Sequence, residues 1–164
     1  MKKIDWILLF SYLGINLIVW LIYFFDLYNR EFISEFYFTI PFVFTFLIFD
    51  IYHKRFWNKK VLLIWGIIGI AQLVIYYSLK DLPELQAVKG NHLVWLKALP
   101  LTILTSYTLN LINQYKYGDN FIVTTMRLDR KRINPKDSRK LRDADYFFSV
   151  IGFMIIIFGT VFTK

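Results

Sequence analysis

The chain has 164 residues, 57% of them hydrophobic and 20% aromatic, with a formal net charge of +8. A soluble domain is about 45–50% apolar; here the excess gathers in nearly uncharged runs that match the ~20 residues a helix needs to cross ~30 Å of hydrocarbon. With no cysteine in the sequence, disulfides, thiolate nucleophiles and cysteine-held metal or iron–sulfur centres are excluded.

The first run covers residues 6–25 and follows Met1-Lys2-Lys3. It imitates a secretory signal, but it exceeds the usual 7–15-residue signal core. The Asp26-Leu-Tyr-Asn-Arg30 that follows offers no small-x-small cleavage site, so an uncleaved first span is expected. A short loop leads to a second span at 33–52, with Glu35 at its start, Pro41 inside and Asp50 at its end. The next loop is basic, with Lys54, Arg55, Lys59 and Lys60. Span three is 61–79. A longer loop with Pro83 and Gly90 precedes span four at 93–112, which Lys97, Pro100 and Asn110 interrupt. Lys97 lies about one turn from the boundary, where a long side chain can snorkel to water. A polar segment occupies 113–145, and span five is 146–162. The expected fold is thus an all-α integral membrane bundle of about five transmembrane helices. The basic segment belongs to that single domain.

Lysine and arginine favour the cytoplasmic side of a membrane. With the N-terminus inside, only Arg30, Lys80, Lys89, Lys97 and Lys164 of the twenty basic residues fall outside. Five spans, N-terminus in and C-terminus out, satisfy the rule at every loop, and the expected location is a bacterial inner membrane. Trp6, Tyr28, Tyr52, Trp57, Tyr76, Tyr77, Trp95, Tyr115 and Tyr146 stand where interfacial belts form. No internal repeat is visible, so an inverted-repeat transporter has no support.

The polar segment carries most of the charge. Tyr117-Gly118-Asp119-Asn120 has turn chemistry, Phe121 to Met126 is β-prone, and Asp129-Arg130 could turn it back. Asp137 or Ser138 can cap a helix that begins near Arg139 and runs into span five. Arg139, Lys140 and Arg142 in its first turn would oppose the helix dipole, which predicts a lipid phosphate there. Together Arg127, Arg130, Lys131, Arg132, Lys136, Arg139, Lys140 and Arg142 form a surface for anionic lipid or for an acidic partner. Nucleic acid is disfavoured, because little aromatic stacking surface accompanies the charge. Phe121, Ile122 and Val123 are apolar residues in a loop, and they suggest a partner that covers them.

Four uncharged polar residues fall within spans: Asn16, Gln72, Ser106 and Asn110. They read as interhelical hydrogen bonds, worth about 0.6–2 kcal/mol each, or as pore lining. Asp50 and His53, three apart, share a helix face at the inner boundary. Two ligands make a poor metal site, and His92 is expected on the opposite side, so no haem is sandwiched. Gly66 and Gly69, and Gly152 and Gly159, permit close helix approach. No catalytic grouping or phosphate-cradling glycine loop is present, and no cofactor is implied.

The residues therefore suggest a non-catalytic membrane subunit or scaffold that oligomerises or binds a partner through its basic cytoplasmic segment. The alternative is a homo-oligomeric channel of the membrane-effector or toxin-immunity type. A lipid-modifying enzyme using Asp50 and His53 ranks last.

Overall fold

The computed structural model describes residues 2–25, 30–83, 86–87, 90–124 and 142–162. Five long helices dominate: α1 (Lys3–Phe24), α2 (Arg30–Leu47), α3 (Lys59–Leu79), α4 (Ala98–Tyr117) and α5 (Asp143–Val161). A π-turn (Ile48–Tyr52) and a 3-10 turn (His53–Trp57) join α2 to α3. Between α3 and α4 lie a two-residue antiparallel pairing, Gln86–Ala87 with Gly90–Asn91, and a second 3-10 turn, His92–Lys97.

Local chemistry sets the helix ends. The Asp5 carboxylate accepts the Lys2 main-chain N–H at 2.6 Å and so begins α1. Asp145 accepts the Arg142 N–H at 3.0 Å and does the same for α5. Both place a carboxylate at the positive end of the helix dipole. Asn58 caps α3 through the Lys60 N–H at 3.0 Å. Gly118, at φ 73°, ends α4 in the left-handed conformation that glycine adopts without a Cβ clash.

The expected boundaries shift by a few residues, α2 running Arg30–Leu47 instead of 33–52, and two of the shifts change the chemistry. Span four was placed at 93–112, but α4 starts at Ala98 and ends at Tyr117. Pro100 therefore occupies the first turn, where its missing N–H costs no helical bond. Lys97 does not snorkel outward: it is buried, with Nζ 4.8 Å from the Tyr76 ring centroid. The second correction concerns α5. Arg142 is extended (φ −103°, ψ 155°) and the helix begins at Asp143, so Arg139, Lys140 and Arg142 are not its first turn. That turn carries Asp143 and Asp145. The carboxylate at that helix start is the chain's own Asp145.

The helices alternate in direction. Leu9 and Tyr12 of α1 pack with Val61 and Trp65 at the start of α3, and Val19 packs with Tyr76 at its end. The Gly69 position abuts Pro100, Gly152 abuts Leu109 and Gly159 abuts Leu101, so α4 runs against both α3 and α5. The starts of α1, α3 and α5 and the end of α4 thus share one end of the bundle, called here the near end. Val19, Tyr76, Leu93 and Leu96 close the far end.

Three helices are long and apolar enough to cross a membrane: α1, α3 and α5. The chain is helical and suited to a membrane location to that extent. α2 falls short of the same measure because it carries Arg30, Glu31 and Glu35. α4 falls short because of its Thr, Ser, Asn and Gln residues. Most of those residues face inward, although Thr108 and Gln114 are exposed. Thr102, Thr105, Ser106, Asn110 and Asn113 are buried, whereas Leu104, Leu111, Ile112 and Tyr115 are exposed. Large apolar side chains also cover the outside of α1, α3 and α5, among them Phe10, Leu17, Ile70, Val74, Phe147 and Phe158. This arrangement inverts that of a protein folded in water.

Candidate functional site

The near end holds the densest polar chemistry. After Gly118 the chain runs without regular structure through residues 119–124 and returns into the bundle. Phe121 is fully buried, and Val123 and Thr124 nearly so. Phe121 and Val123 join Phe49, Leu109 and Ile156 in one apolar cluster. A segment without regular structure buried among helices must satisfy its main chain with side chains. Asn110 Oδ1 accepts the Phe121 N–H at 2.9 Å, and Ser149 Oγ accepts the Thr124 N–H at 2.9 Å. The Ser149 hydroxyl itself donates to the Asp145 carbonyl at 2.6 Å. Asn113 Nδ2 donates to the Asp119 carbonyl at 2.9 Å.

His53 supplies the remaining tie. Its Nε2 accepts the Val123 N–H at 3.2 Å, so Nδ1 carries the proton and donates to the Asp50 main-chain oxygen at 3.1 Å. This geometry requires the neutral ring. Asp50 and His53, expected on one helix face, lie instead across the π-turn and the 3-10 turn. Their link runs through the Asp50 backbone. His53 fastens the segment 70 residues further on.

The cover that the apolar residues Phe121–Val123 suggested for a partner comes from the chain itself. Two of the three are buried among the chain's own helices, and Ile122 is half-buried. Of the β-prone stretch Phe121 to Met126, the described residues 121–124 have no regular structure and pair with no strand.

Beside this strap, the Asp5 carboxylate is fully buried. It accepts the Tyr52 hydroxyl at 2.7 Å and the Arg55 Nε at 2.8 Å, and it pairs with Arg55 Nη2 as well. The two-point bond matches the fork of the guanidinium to the carboxylate. The hydrogen bond to Asp5 holds Arg55 protonated, raising its pKa above the ordinary value against the opposing effect of burial. Sequence reasoning gave Arg55 only a topological part and passed over Asp5. The signal was present as an acid three residues after Lys2, a pattern that recurs at Arg142 and Asp145.

The four polar residues expected within spans lie inside a single chain's fold. Gln72 Nε2 donates to the Tyr12 hydroxyl and links α3 to α1. Asn110 holds the strap, and Ser106 is buried on the same face of α4. Asn16 is half-buried and donates to the Tyr12 carbonyl of its own helix at 2.8 Å. Of the glycines, Gly69, Gly152 and Gly159 sit against neighbouring helices, while a Cβ on Gly66 would meet nothing within 4 Å.

Of the basic cluster, Arg127, Arg130, Lys131, Arg132, Lys136, Arg139 and Lys140 lie outside the described residues. Arg142 is described. It pairs with Asp119 and stacks its guanidinium 4.9 Å from the Tyr117 ring centroid. The ends of the interval 125–141 are therefore both fastened at the near end, Thr124 to Ser149 and Arg142 to Asp119. No group of His, Asp or Glu among the described residues could hold a metal ion.

Asn110→Leu should release the strap. The Phe121 N–H would stay buried without an acceptor, at a cost of about 1–3 kcal/mol. The expected readout is faster hydrogen exchange and earlier proteolysis at 119–124, with α1 and α3 unaffected. Unchanged protection of the Phe121 amide would mean that packing alone holds the segment. Comparison with protein-family models, curated proteins and solved structures finds no match for this chain.

Proposed function

We propose that this chain is a five-span membrane protein, N-terminus in the cytoplasm and C-terminus outside, acting as a non-catalytic subunit or scaffold that presents its basic segment to a partner. The observation that carries this reading is the pinned base of residues 125–141. Two polar ties hold the entry and exit of that interval at the near end, Thr124 to Ser149 of α5 and Arg142 to Asp119 just beyond α4. Such a base suits a displayed loop better than a linker. The inverted polarity of α4 supports its role as an inner span, since hydrocarbon rather than water suits its Leu104, Leu111 and Ile112 face. Anionic lipid headgroups supplement the partner through the same cations, each contributing about 1 kcal/mol near a charged surface.

A pore between copies has less in its favour. Gln72, Ser106 and Asn110 are 5%, 1% and 3% exposed within one chain, so they do not face a second copy. An acid/base role for His53 meets a similar objection, because both ring nitrogens serve the backbone.

The absence of cysteine makes the test direct. Single replacements Lys60→Cys, Asp81→Cys, Lys131→Cys and Lys164→Cys are labelled in intact cells with a membrane-impermeant maleimide. Positions 81 and 164 should react, and 60 and 131 only after the membrane is opened. Labelling of 131 and 164 from one side would reject the threading. A photoreactive residue at 131 should then yield a protein adduct that is lost when Arg127, Arg130, Lys131-adjacent Arg132 and Lys136 become Gln. Adducts to lipid alone, at equal yield in both, would reject the partner.

A further inference from the structure

We propose that the inner face of α4 is a hydrated seam, in which ordered water is held inside the bundle as a structural ligand. Among the described residues seven buried side-chain atoms have no hydrogen-bond partner within the protein: the nitrogens Trp57 Nε1, Trp65 Nε1 and Arg142 Nη1 toward the near end, and the four oxygens Gln72 Oε1, Ser106 Oγ, Asn113 Oδ1 and Thr160 Oγ1, which carry the seam. The residues of these four oxygens are 5%, 1%, 0% and 0% exposed. Neither lipid nor bulk water reaches them. Buried polar groups in folded proteins are nearly always bonded to protein or to ordered water, and an orphan costs about 1–3 kcal/mol. Globular proteins hold about one buried water per ~27 residues, or about six for a chain of this length, so four sites lie within the ordinary range.

The atoms are not scattered. Thr102, Ser106, Asn110 and Asn113 follow one another at helical steps of four, four and three and share one face of α4. Thr160 adjoins Gly159, which packs on Leu101 at the far part of that face. Gln72 lies three residues beyond Gly69, which packs on Pro100. Polar groups from three helices thus meet the bundle interior at successive heights.

Both mouths of the seam are shut. At the near end Asn110 and Asn113 bond the strap through Phe121 and Asp119. At the far end Tyr76, Leu93 and Leu96 pack together. Enclosure favours resident water over a conducting column. The seam groups are neutral amides and hydroxyls, which offer water two to four partners and give a metal cation no charge to balance it. The same water accounts for how α4, the least apolar helix, occupies the centre of a bundle whose outside is hydrocarbon-like.

The full chain in lipid nanodiscs is exposed to X-ray-generated hydroxyl radicals, which oxidise side chains beside bound water even when bulk solvent is excluded. Leu109 and Ile156, buried near the seam, should label several-fold more than Val19 and Leu93, which are equally buried in a cluster without an unpartnered polar atom. Ser106→Ala should lower the labelling of Leu109 at least twofold. Labelling of Leu109 and Ile156 no higher than that of Val19 and Leu93 overturns the seam. Labelling that Ser106→Ala leaves unchanged overturns it too, because the water would not then be held by that hydroxyl.

Discussion

Arg55→Ala should destabilise the folded chain by about 3–5 kcal/mol, the range for a buried ion pair that loses one partner. The loss exceeds that of a bond because of what stays behind. Asp5 is fully buried, and without Arg55 the Tyr52 hydroxyl and the Lys2 N–H are the groups among the described residues that still bond its carboxylate. Replacing both partners together, as Asp5→Leu with Arg55→Met, should cost far less than the single change, since no orphaned charge remains. A denaturant titration in mixed micelles reads all three proteins. The Arg142–Asp119 pair provides the contrast. Its side chains are 36% and 40% exposed, so Arg142→Ala should cost about 0–1 kcal/mol and the effect should shrink with added salt. If Arg55→Ala proves as mild as Arg142→Ala, the pair around Asp5 does not anchor the near end.

Gly152→Ala should cost about 1–3 kcal/mol, the usual penalty of overpacking. A Cβ there would lie 2.6 Å from Phe49 Cζ and 3.0 Å from Leu109 Cδ1. Phe49 is fully buried in the cluster that also seats Phe121, so it cannot retreat without moving the strap. Phe49→Leu should partly rescue Gly152→Ala, because it removes the atom that collides. Gly66→Ala is the control. Nothing lies within 4 Å of its Cβ, and alanine favours a helix over glycine by up to about 1 kcal/mol. A loss at position 66 as large as at position 152 would show that the approach to Phe49 does not set the cost.

The glycines show how far sequence spacing could be taken. The interval of seven in α5 placed Gly152 and Gly159 on one face, and both lie against α4 and its neighbours. Gly66 and Gly69 were expected to permit close approach as well, yet only Gly69 meets another helix. Which glycine is covered depends on the rotation of the helix about its axis, and that rotation is fixed by distant partners such as Pro100. Asn110 was visible as a polar residue inside a span, but its acceptor role was not, because the Phe121 N–H lies 11 residues away. His53 drew attention through the neighbouring Asp50, whereas the bond that defines it reaches Val123. Asp5 went unread because its partner stands 50 residues on.

The sequence by itself determined the quantities that depend on composition and run length. These are the apolar helices α1, α3 and α5, the turn at Gly118 and the concentration of cations between Lys116 and Arg142. Hydrophobic length and local turn chemistry act within about twenty residues, so they can be read from the chain alone. Only the tertiary structure decided that α4 buries Thr102, Ser106, Asn110 and Asn113, that residues 119–124 return into the bundle and that Asp5 pairs with Arg55. Each of those outcomes turns on where a polar group can find a partner when water is excluded. The available partners come from elsewhere in the chain and are brought together only by folding.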